Sequence, residues 1–156
     1  MQIRPATAAD IPSIMQLERQ SATAGHWTEE QYRHAFQRDG ATRLVLVGSE
    51  DSETSPAGFL VAQHLPPEWE LENIVVAPTS RRNGLGKRLL EALLAAAKKT
   101  NSTAVFLEVR ESNTAARTLY EKAGFVRTGR RKSYYTNPSE DAVLYRRPSP
   151  SSCFSH

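Results

Sequence analysis

The sequence predicts one α/β (α+β) domain built on a mixed, mostly antiparallel sheet, and three observations lead to this prediction. A chain of 156 residues has the length of a single domain. Short β-branched runs alternate with amphipathic stretches in the order βααβββαβαββ. One long amphipathic stretch separates two consecutive strands, and such a central βαβ unit makes its two strands parallel.

The first elements are a short strand and two helices. Ile3 lies in the strand. Thr7 and Asp10 stand three residues apart before an apolar periodic run, and Thr28 and Gln31 repeat that spacing before a second run. In a capping box, two side chains at this spacing bond to each other's backbone, so the pattern predicts two helix starts.

The middle of the chain is predicted to form three strands and the long helix. The β-branched runs at 43–48 and 57–64 flank a polar turn at 49–56, which predicts an antiparallel hairpin. A third run lies at 71–76. The βαβ unit continues through a helix to a strand at 103–109, and the helix has apolar residues at helical spacing: Leu85, Leu89, Leu93 and Ala96.

The last elements are a helix and two closing strands. Asn113 has a side chain typical of a helix N-cap, and Gly124 is a residue type typical of the position just past a helix end. Strands are predicted at 125–135 and 142–146. The domain therefore covers 1–147, and the Ser/Pro-rich segment 148–156 is expected to be a disordered tail.

Composition excludes several classes of protein. The hydrophobic fraction of 39% and charged fraction of 24% are those of a globular chain, not a disordered one. No apolar run approaches the roughly 18 residues that span a bilayer. The absence of an apolar leader and the single cysteine, Cys153, indicate a cytoplasmic protein without disulfides. The four scattered histidines predict no metal site. A net charge of +3 is too small for a typical nucleic-acid-binding domain.

A basic, glycine-containing loop is the most informative local feature. It joins a predicted strand to the long helix and includes Arg81, Arg82, Asn83, Gly84, Leu85, Gly86 and Lys87. Glycine lets a backbone approach an anion closely, and the N–H groups at a helix start point toward it. The loop is neither a Walker loop nor a dinucleotide fingerprint, because the Ser/Thr after the lysine and the third glycine are missing.

Two interpretations of this loop compete. It could be a plain strand-to-helix turn with a solvated basic rim. Four cations within eight residues favour a pyrophosphate site instead, since each can strengthen anion binding by a charged hydrogen bond; they are Arg81, Arg82, Lys87 and Arg88.

With this loop between a strand and a long helix, the sequence resembles the GNAT (Gcn5-related N-acetyltransferase) superfamily. The segment Arg81-x-x-Gly84-x-Gly86 matches its R/Q-x-x-G-x-G/A signature, and the likeness covers residues 2–147. Other segments resemble the bacterial ribosomal-protein-alanine N-acetyltransferases: Leu107-Glu108-Val109-Arg110, Ser112-Asn113, Leu119-Tyr120-Glu121, Tyr134-Tyr135 and Glu140-Asp141-Ala142.

The resemblance implies a GNAT fold in which two parallel strands splay apart around acetyl-CoA, without a metal. It implies that the backbone of Ile74, Val75 and Val76 binds the acetyl and pantetheine part. Residues 81–87 would hold the pyrophosphate, and Asn113 would contact the cofactor. Glu108 would be the general base and Tyr120 the general acid.

The residues themselves leave structural alternatives open. Glu108 interrupts an apolar strand, where a carboxylate is costly unless it is partnered or used, but it could face solvent. Tyr120 lies on the apolar face of its helix and could serve core packing. Asn113 is first of all an N-cap. The segment Trp69-Glu70-Leu71-Glu72 contains more acidic residues than the resemblance predicts, and its Glu72 competes with Glu108 as base.

The expected acceptor is the N-terminal amine of a small-subunit ribosomal protein, most simply one beginning with alanine. Tyr134 and Tyr135 could wall a narrow slot for a small first side chain. The carboxylates Glu70, Glu72, Glu108 and Asp141 could attract a cationic amine. The residue before Trp27 is His26, whereas the family has a proline there, and this departure concerns the choice of acceptor rather than cofactor binding.

Other functions stay open on the sequence. The acceptor could be a lysine side chain, a polyamine or an antibiotic. A catalytically silent CoA-binding regulator and a tRNA modifier are further alternatives. The presence of both Glu108 and Tyr120 disfavours the silent regulator, and the lack of a strongly basic surface disfavours the tRNA modifier. The expected oligomeric state is a monomer or a weak dimer without membrane contact.

Overall fold

A computed structural model describes residues 1–21, 27–37, 43–50, 55–81, 83–136 and 138–149. Within them the strands and helices follow the predicted order: β1 Gln2–Pro5, α1 Ile11–Arg19, α2 Glu29–Gln37, β2 Arg43–Ser49, β3 Gly58–Leu65, β4 Glu68–Val76, α3 Leu85–Lys99, β5 Ala104–Arg110, α4 Thr114–Lys122, β6 Val126–Tyr135 and β7 Glu140–Pro148. Short 3₁₀ turns precede α1 at Ala8–Asp10 and follow β4 at Pro78–Ser80. The predicted fold class is confirmed.

The described strands form one seven-stranded sheet in the order β1-β2-β3-β4-β5-β7-β6. Neighbouring strands are antiparallel except β4 and β5, which are parallel as the βαβ unit predicts. Helix α3 packs on one face of the sheet, while α1 and α2 pack on the other. The strand β6 forms one edge and is exposed over most of its length.

Both predicted capping boxes are present. Asp10 accepts a hydrogen bond from the Thr7 backbone N–H at 2.8 Å. The Gln31 side chain accepts from the Thr28 N–H at 2.7 Å, and the Thr28 hydroxyl accepts from the Gln31 N–H at 3.1 Å. These bonds satisfy backbone donors that a helix start otherwise leaves unpaired.

The strands β4 and β5 separate after only four paired positions. Their parallel pairing runs from Glu68 opposite Ala104 to Leu71 opposite Leu107, whereas β4 continues to Val76. On the other side of β4, the pairing with β3 skips Glu72, so a β-bulge lies where the strands part. A bulge bends its strand and increases the local twist. The gap that opens between residues 72–76 and 108–110 is called the cleft below.

Helix α3 packs closely against the N-terminal half of the sheet. Leu85, Leu89 and Leu93 of α3 are buried against it. Gly48 and Gly58 make room for them: a Cβ on Gly48 would lie 2.6 Å from Leu85 Cδ1, and one on Gly58 would lie 3.1 Å from Leu85 Cδ2. Larger residues at either glycine would push the helix away from β2 and β3.

Several boundaries differ from the predicted ones. The strand β4 begins at Glu68, three residues early, because Trp69 packs into the core and donates to Thr100 Oγ1 at 3.0 Å. The strand β7 extends through Pro148, beyond the predicted domain end, and the Ser149 N–H bonds to Thr103 O. The remaining tail, 150–156, lies outside the described residues. No helix in the described ranges is long and apolar enough to cross a membrane.

A buried hydrogen bond joins the two helices on the second face. Glu18 of α1 is only 2% exposed, and Tyr32 of α2 is fully buried. The Tyr32 hydroxyl donates to the Glu18 carboxylate, which also accepts from the Trp27 backbone at 3.4 Å. Burial, and then the bond to Glu18, raise the pKa of Tyr32, so its hydroxyl remains a donor at neutral pH.

Replacing Tyr32 by Phe is expected to lower the free energy of unfolding by about 1–3 kcal/mol, because Glu18 loses a buried donor. Urea denaturation measures the change. The control is Tyr134→Phe, which also removes a hydroxyl that donates to a glutamate, but from a half-exposed ring where water can replace the donor, so a smaller loss is expected. Equal stability of the two variants would contradict the prediction.

Candidate active site

The cleft exposes one backbone edge of β4. Gly58, Phe59 and Leu60 of β3 pair with residues 74–76 on one side, while the pairing with β5 has already ended at Leu71. Because successive backbone groups of a strand point alternately to its two sides, some N–H and C=O groups of this segment point into the cleft. Such groups can bind an extended ligand or stabilise a developing oxyanion.

The predicted backbone contacts at Ile74, Val75 and Val76 are compatible with this arrangement. The Val75 side chain is 5% exposed and belongs to the core between the sheet and α1. Ile74 and Val76 pack from the opposite face against the α3 core. These side chains are therefore largely committed to packing, and the backbone is the part that faces the cleft.

Gly84 provides the opening at the start of α3. Its φ of 82° lies in the left-handed region, and a Cβ added there would meet no atom within 4 Å. Gly86 differs, since its Cβ would lie 3.3 Å from Leu119 Cδ2 and 3.6 Å from Val76 Cγ2. Gly84 thus leaves space for a ligand at the helix start, whereas Gly86 lets α3 approach β4 and α4.

The side chains of the loop have different environments. Leu85 is buried and anchors the helix start, while Lys87 is exposed beside it. Arg81 Nε donates to the Val76 carbonyl oxygen at 3.4 Å, and the Asn83 amide donates to Glu50 at 2.9 Å. Arg82, also predicted to bind the pyrophosphate, lies outside the described residues. The exposed cations and the open Gly84 form a site that fits a pyrophosphate group.

Helix α4 follows β5, the strand on the other side of the cleft, and carries or caps two predicted site residues. Asn113 is its N-cap, with the side-chain oxygen accepting from the Ala116 N–H at 3.2 Å. Tyr120 is 5% exposed, and its ring packs against Phe125 and Tyr145. Both structural interpretations of these residues are confirmed, and neither conflicts with a further contact to a ligand.

The Tyr120 hydroxyl is available for chemistry. It makes no hydrogen bond to any residue in the described ranges, and no buried polar side-chain atom there lacks a partner. The residue as a whole is only 5% exposed. Burial, and to a smaller extent Tyr135, raise the pKa of Tyr120, so the group stays protonated and can donate its proton.

Three carboxylates gather where β4 and β5 part, and we call Glu70, Glu72 and Glu108 the acidic cluster. Arg131 Nε lies 2.9 Å from a Glu108 oxygen, and the Tyr134 hydroxyl donates a hydrogen bond to the same carboxylate. Burial, and then the charges of Glu72 and Glu108, raise the pKa of Glu70.

Glu72 is held by an arginine from a distant part of the chain. Arg43 of β2 donates to both Glu72 oxygens, at 2.8 and 3.1 Å. The same guanidinium lies 4.9 Å from the centre of the Trp27 ring. Sequence reasoning missed Arg43 and Arg131 as parts of the site, because no local spacing links either arginine to the glutamate that it binds.

Two tyrosines on β6 flank the acidic cluster. The Tyr134 and Tyr135 rings meet edge to face at 5.1 Å, and Arg110 stacks 4.4 Å from the Tyr135 ring centre. Burial, and then the charges of Glu108 and Tyr134, raise the pKa of Tyr135 to about 12. The structure therefore brings the predicted aromatic pair to the cluster, where it can border a small acceptor group.

Asp141 has contacts of a different kind. Its carboxylate accepts from the Ser133 backbone at 2.8 Å and from Arg130 at 3.3 Å. Ser133 has a φ of 51°, so Asp141 stabilises a left-handed position in β6. Its observed role is to hold the β6–β7 hairpin that carries Tyr134, and its predicted substrate contact stays a prediction. Within the described ranges no cluster of metal-ligating side chains occurs.

Comparisons with known proteins agree on one family. The model of the acetyltransferase (GNAT) family matches residues 11–125. The [ribosomal protein bS18]-alanine N-acetyltransferase of Haemophilus influenzae is 44% identical over 140 residues, covering 88% of this chain and 91% of its own. Its Salmonella typhimurium counterpart is 35% identical over 144 residues, which cover 91% of this chain and 93% of that protein. The solved structure of the ribosomal-protein-S18-alanine N-acetyltransferase from Escherichia coli superposes with a TM-score of 0.82 at 32% identity. The match covers 95% of this chain and 93% of that chain.

Replacing Gly84 by Val is expected to weaken acetyl-CoA binding at least about tenfold, because the new side chain fills the space that a pyrophosphate would approach. Calorimetry measures the affinity. Gly124→Val is the matched control, since Gly124 also has a positive φ of 93° and suffers similar backbone strain outside the loop. Unchanged affinity in Gly84→Val, or equal weakening in both variants, would refute the assignment.

Proposed function

The chain belongs to the GNAT acetyltransferase family and is an acetyl-CoA-dependent N-acetyltransferase, and we propose that it acetylates the N-terminal amine of a ribosomal protein beginning with alanine. The observation that carries this proposal is the 35–44% identity, over nearly the whole chain, to enzymes whose names state that acceptor. The acidic cluster between the cleft and the Tyr134–Tyr135 pair supports it, because an amine arrives there as a cation.

In the proposed complex, acetyl-CoA binds along the start of α3 and the cleft edge of β4. The start of α3 at Gly84, with Arg81 and Lys87, would hold the pyrophosphate, and the cleft edge of β4 would bind the pantetheine part. Bound acetyl-CoA supplies the acetyl group as an activated thioester. Backbone N–H groups of the same edge would stabilise negative charge on the acyl oxygen. Asn113 would contact the cofactor from the start of α4.

In the proposed chemistry, Glu108 accepts a proton from the attacking amine and Tyr120 donates its phenolic proton to the leaving sulfur. Both carboxylates have an arginine partner, but Arg43 binds both oxygens of Glu72, whereas the ion pair of Arg131 is with one Glu108 oxygen; Glu108 is therefore preferred over Glu72. Tyr120 fits its role because its hydroxyl is protonated and makes no hydrogen bond to another residue within the described ranges. No covalent enzyme intermediate is part of this proposal, so the acetyl group passes directly to the amine.

Glu108→Gln and Tyr120→Phe are each expected to lower kcat by about 10²–10⁴-fold, the usual contribution of a general acid or base. Both substitutions keep the shape of the side chain, so the Tm is expected to stay near that of the parent. Steady-state kinetics and thermal melts measure the two effects. If Glu108→Gln stays active while Glu72→Gln does not, Glu72 is the base.

A peptide beginning with alanine is expected to be acetylated at its α-amine, while the same peptide with a blocked N-terminus and an internal lysine stays unmodified. The neutral fraction of an α-amine is far larger than that of lysine at neutral pH, since their pKa values are about 7.7–8.0 and 10.4. Mass spectrometry locates the acetyl group. Equal rates on free and blocked peptides would replace this proposal with the lysine alternative.

A further inference from the structure

Two arginines hold members of the acidic cluster, and they do so in different ways. Arg43 donates to both oxygens of Glu72, and its side chain is only 23% exposed. Arg131 contacts one oxygen of Glu108, and its side chain is 56% exposed. An exposed ion pair contributes little and is readily exchanged for another cation. The Arg43–Glu72 pair is therefore the more durable of the two.

Arg43 reaches Glu72 across an intervening strand. Arg43 of β2 pairs with Gln63 of β3. Gln63 in turn pairs with Glu70 of β4, two residues before Glu72. Neighbouring strands lie about 4.7–4.9 Å apart, so the ion pair extends over β3. The sheet order β2-β3-β4-β5 puts Arg43 on one side of β4 and Glu108 on the other. The ion pair thus draws the Glu72 carboxylate toward β2 and away from β5.

Without its arginine, Glu72 would be a free carboxylate beside the cleft. Leu71 and Leu107 are buried in the core that includes α3. Alternation therefore turns the residues that follow them, Glu72 and Glu108, to the opposite face of the sheet. Burial, and then the charges of these two carboxylates, raise the pKa of Glu70, so both act on the same point of the site.

Trp27 supports the guanidinium of Arg43 from the helical layer. Its ring centre lies 4.9 Å from the guanidinium carbon, and an arginine over a tryptophan ring gains a cation–π attraction. The Trp27 ring packs 5.1 Å from the Tyr32 ring, and the Trp27 backbone N–H donates to Glu18 at 3.4 Å. The buried bond between α1 and α2 is thus connected, through Trp27, to the arginine that holds Glu72.

The acceptor amine is drawn to any carboxylate that lacks a cation. An α-amine with a pKa of about 7.7–8.0 is mostly an ammonium ion at neutral pH, so it arrives with a positive charge. A released Glu72 would bind part of the acceptor at a distance from Glu108. From such a position the amine could not reach the acetyl group, and the complex would be unproductive.

We propose that Arg43 is a positioning residue, which holds Glu72 toward β2 and so prevents that carboxylate from capturing the acceptor amine away from Glu108. This inference rests on the proposed function and concerns how its acceptor is oriented. Arg43 acts only through Glu72 and touches neither the amine nor acetyl-CoA. The exposed Arg131, bound to a single oxygen of Glu108, is the cation that the incoming amine can replace.

The test compares Arg43→Gln with Arg146→Gln, using a peptide that begins with alanine. We expect kcat and the peptide KM of Arg43→Gln to fall together by about tenfold, the strength of one hydrogen bond to a charged group. The ratio kcat/KM is expected to stay within about twofold, because unproductive binding does not change the route from free enzyme to transition state. Arg146 also donates to both oxygens of a β4 glutamate, Glu68, but at the end of β4 away from the cleft, so Arg146→Gln is expected to keep the parental constants.

Two further variants separate positioning from support of the fold. Arg43→Lys keeps a positive charge but loses the planar fork that binds both oxygens, so it is expected to shift kcat and KM by less than Arg43→Gln does. The double variant Arg43→Gln/Glu72→Gln has no carboxylate to release, and its kcat is expected to return to within about threefold of the parent's. Such a recovery identifies the released carboxylate, and not the missing guanidinium, as the cause of the loss.

Calorimetry with acetyl-CoA completes the test, since its affinity is expected to stay within about twofold of the parent's in every variant. If Arg43→Gln melts below the assay temperature, Arg43→Lys and the double variant carry the comparison. A rise in the peptide KM, constants like those of Arg146→Gln, a double variant no better than the single one, or weakened acetyl-CoA binding overturns the inference. A parent that fails to acetylate the peptide overturns the proposed function itself, before any variant is compared.

Discussion

The separation of β4 from β5 after Leu71 and Leu107 is the constraint on which the rest of the site depends. A paired sheet would have satisfied the backbone groups of residues 72–76 and left no room between the strands. The bulge at Glu72 bends β4 at that point, while α3 holds the strand against the core. The parting therefore leaves backbone donors and acceptors for a ligand without disrupting the fold around them.

The same geometry explains the concentration of charge. Side chains at the end of a paired segment face an open space rather than a neighbouring strand, so carboxylates there remain partly hydrated. Burying three of them together would still be costly, and arginines from β2 and β6 offset much of that cost. Because Arg43 belongs to β2 and Arg131 to β6, the charge balance of the cluster depends on how these strands assemble around it.

Most of the fold could be predicted from sequence because its signals are local. The capping boxes at Thr7 and Thr28, the N-cap at Asn113 and the helical spacing after Leu85 involve contacts within a few residues, and each was found where the pattern placed it. Strand ends were less predictable. The start of β4 at Glu68 and the end of β7 at Pro148 depend on Trp69 packing and on pairing with β5, which no local pattern contains.

The sequence by itself determined the residue types, the order of elements, the parallel βαβ unit and the glycine that opens the basic loop, because each depends on neighbours along the chain. Only the tertiary structure decided which carboxylate has a cation. Arg43 lies 29 residues before the glutamate that it binds, and Arg131 reaches Glu108 through pairing of β6 with β7. A pKa depends on all charges and burial within a few ångströms, and these distances exist only once the strands have assembled.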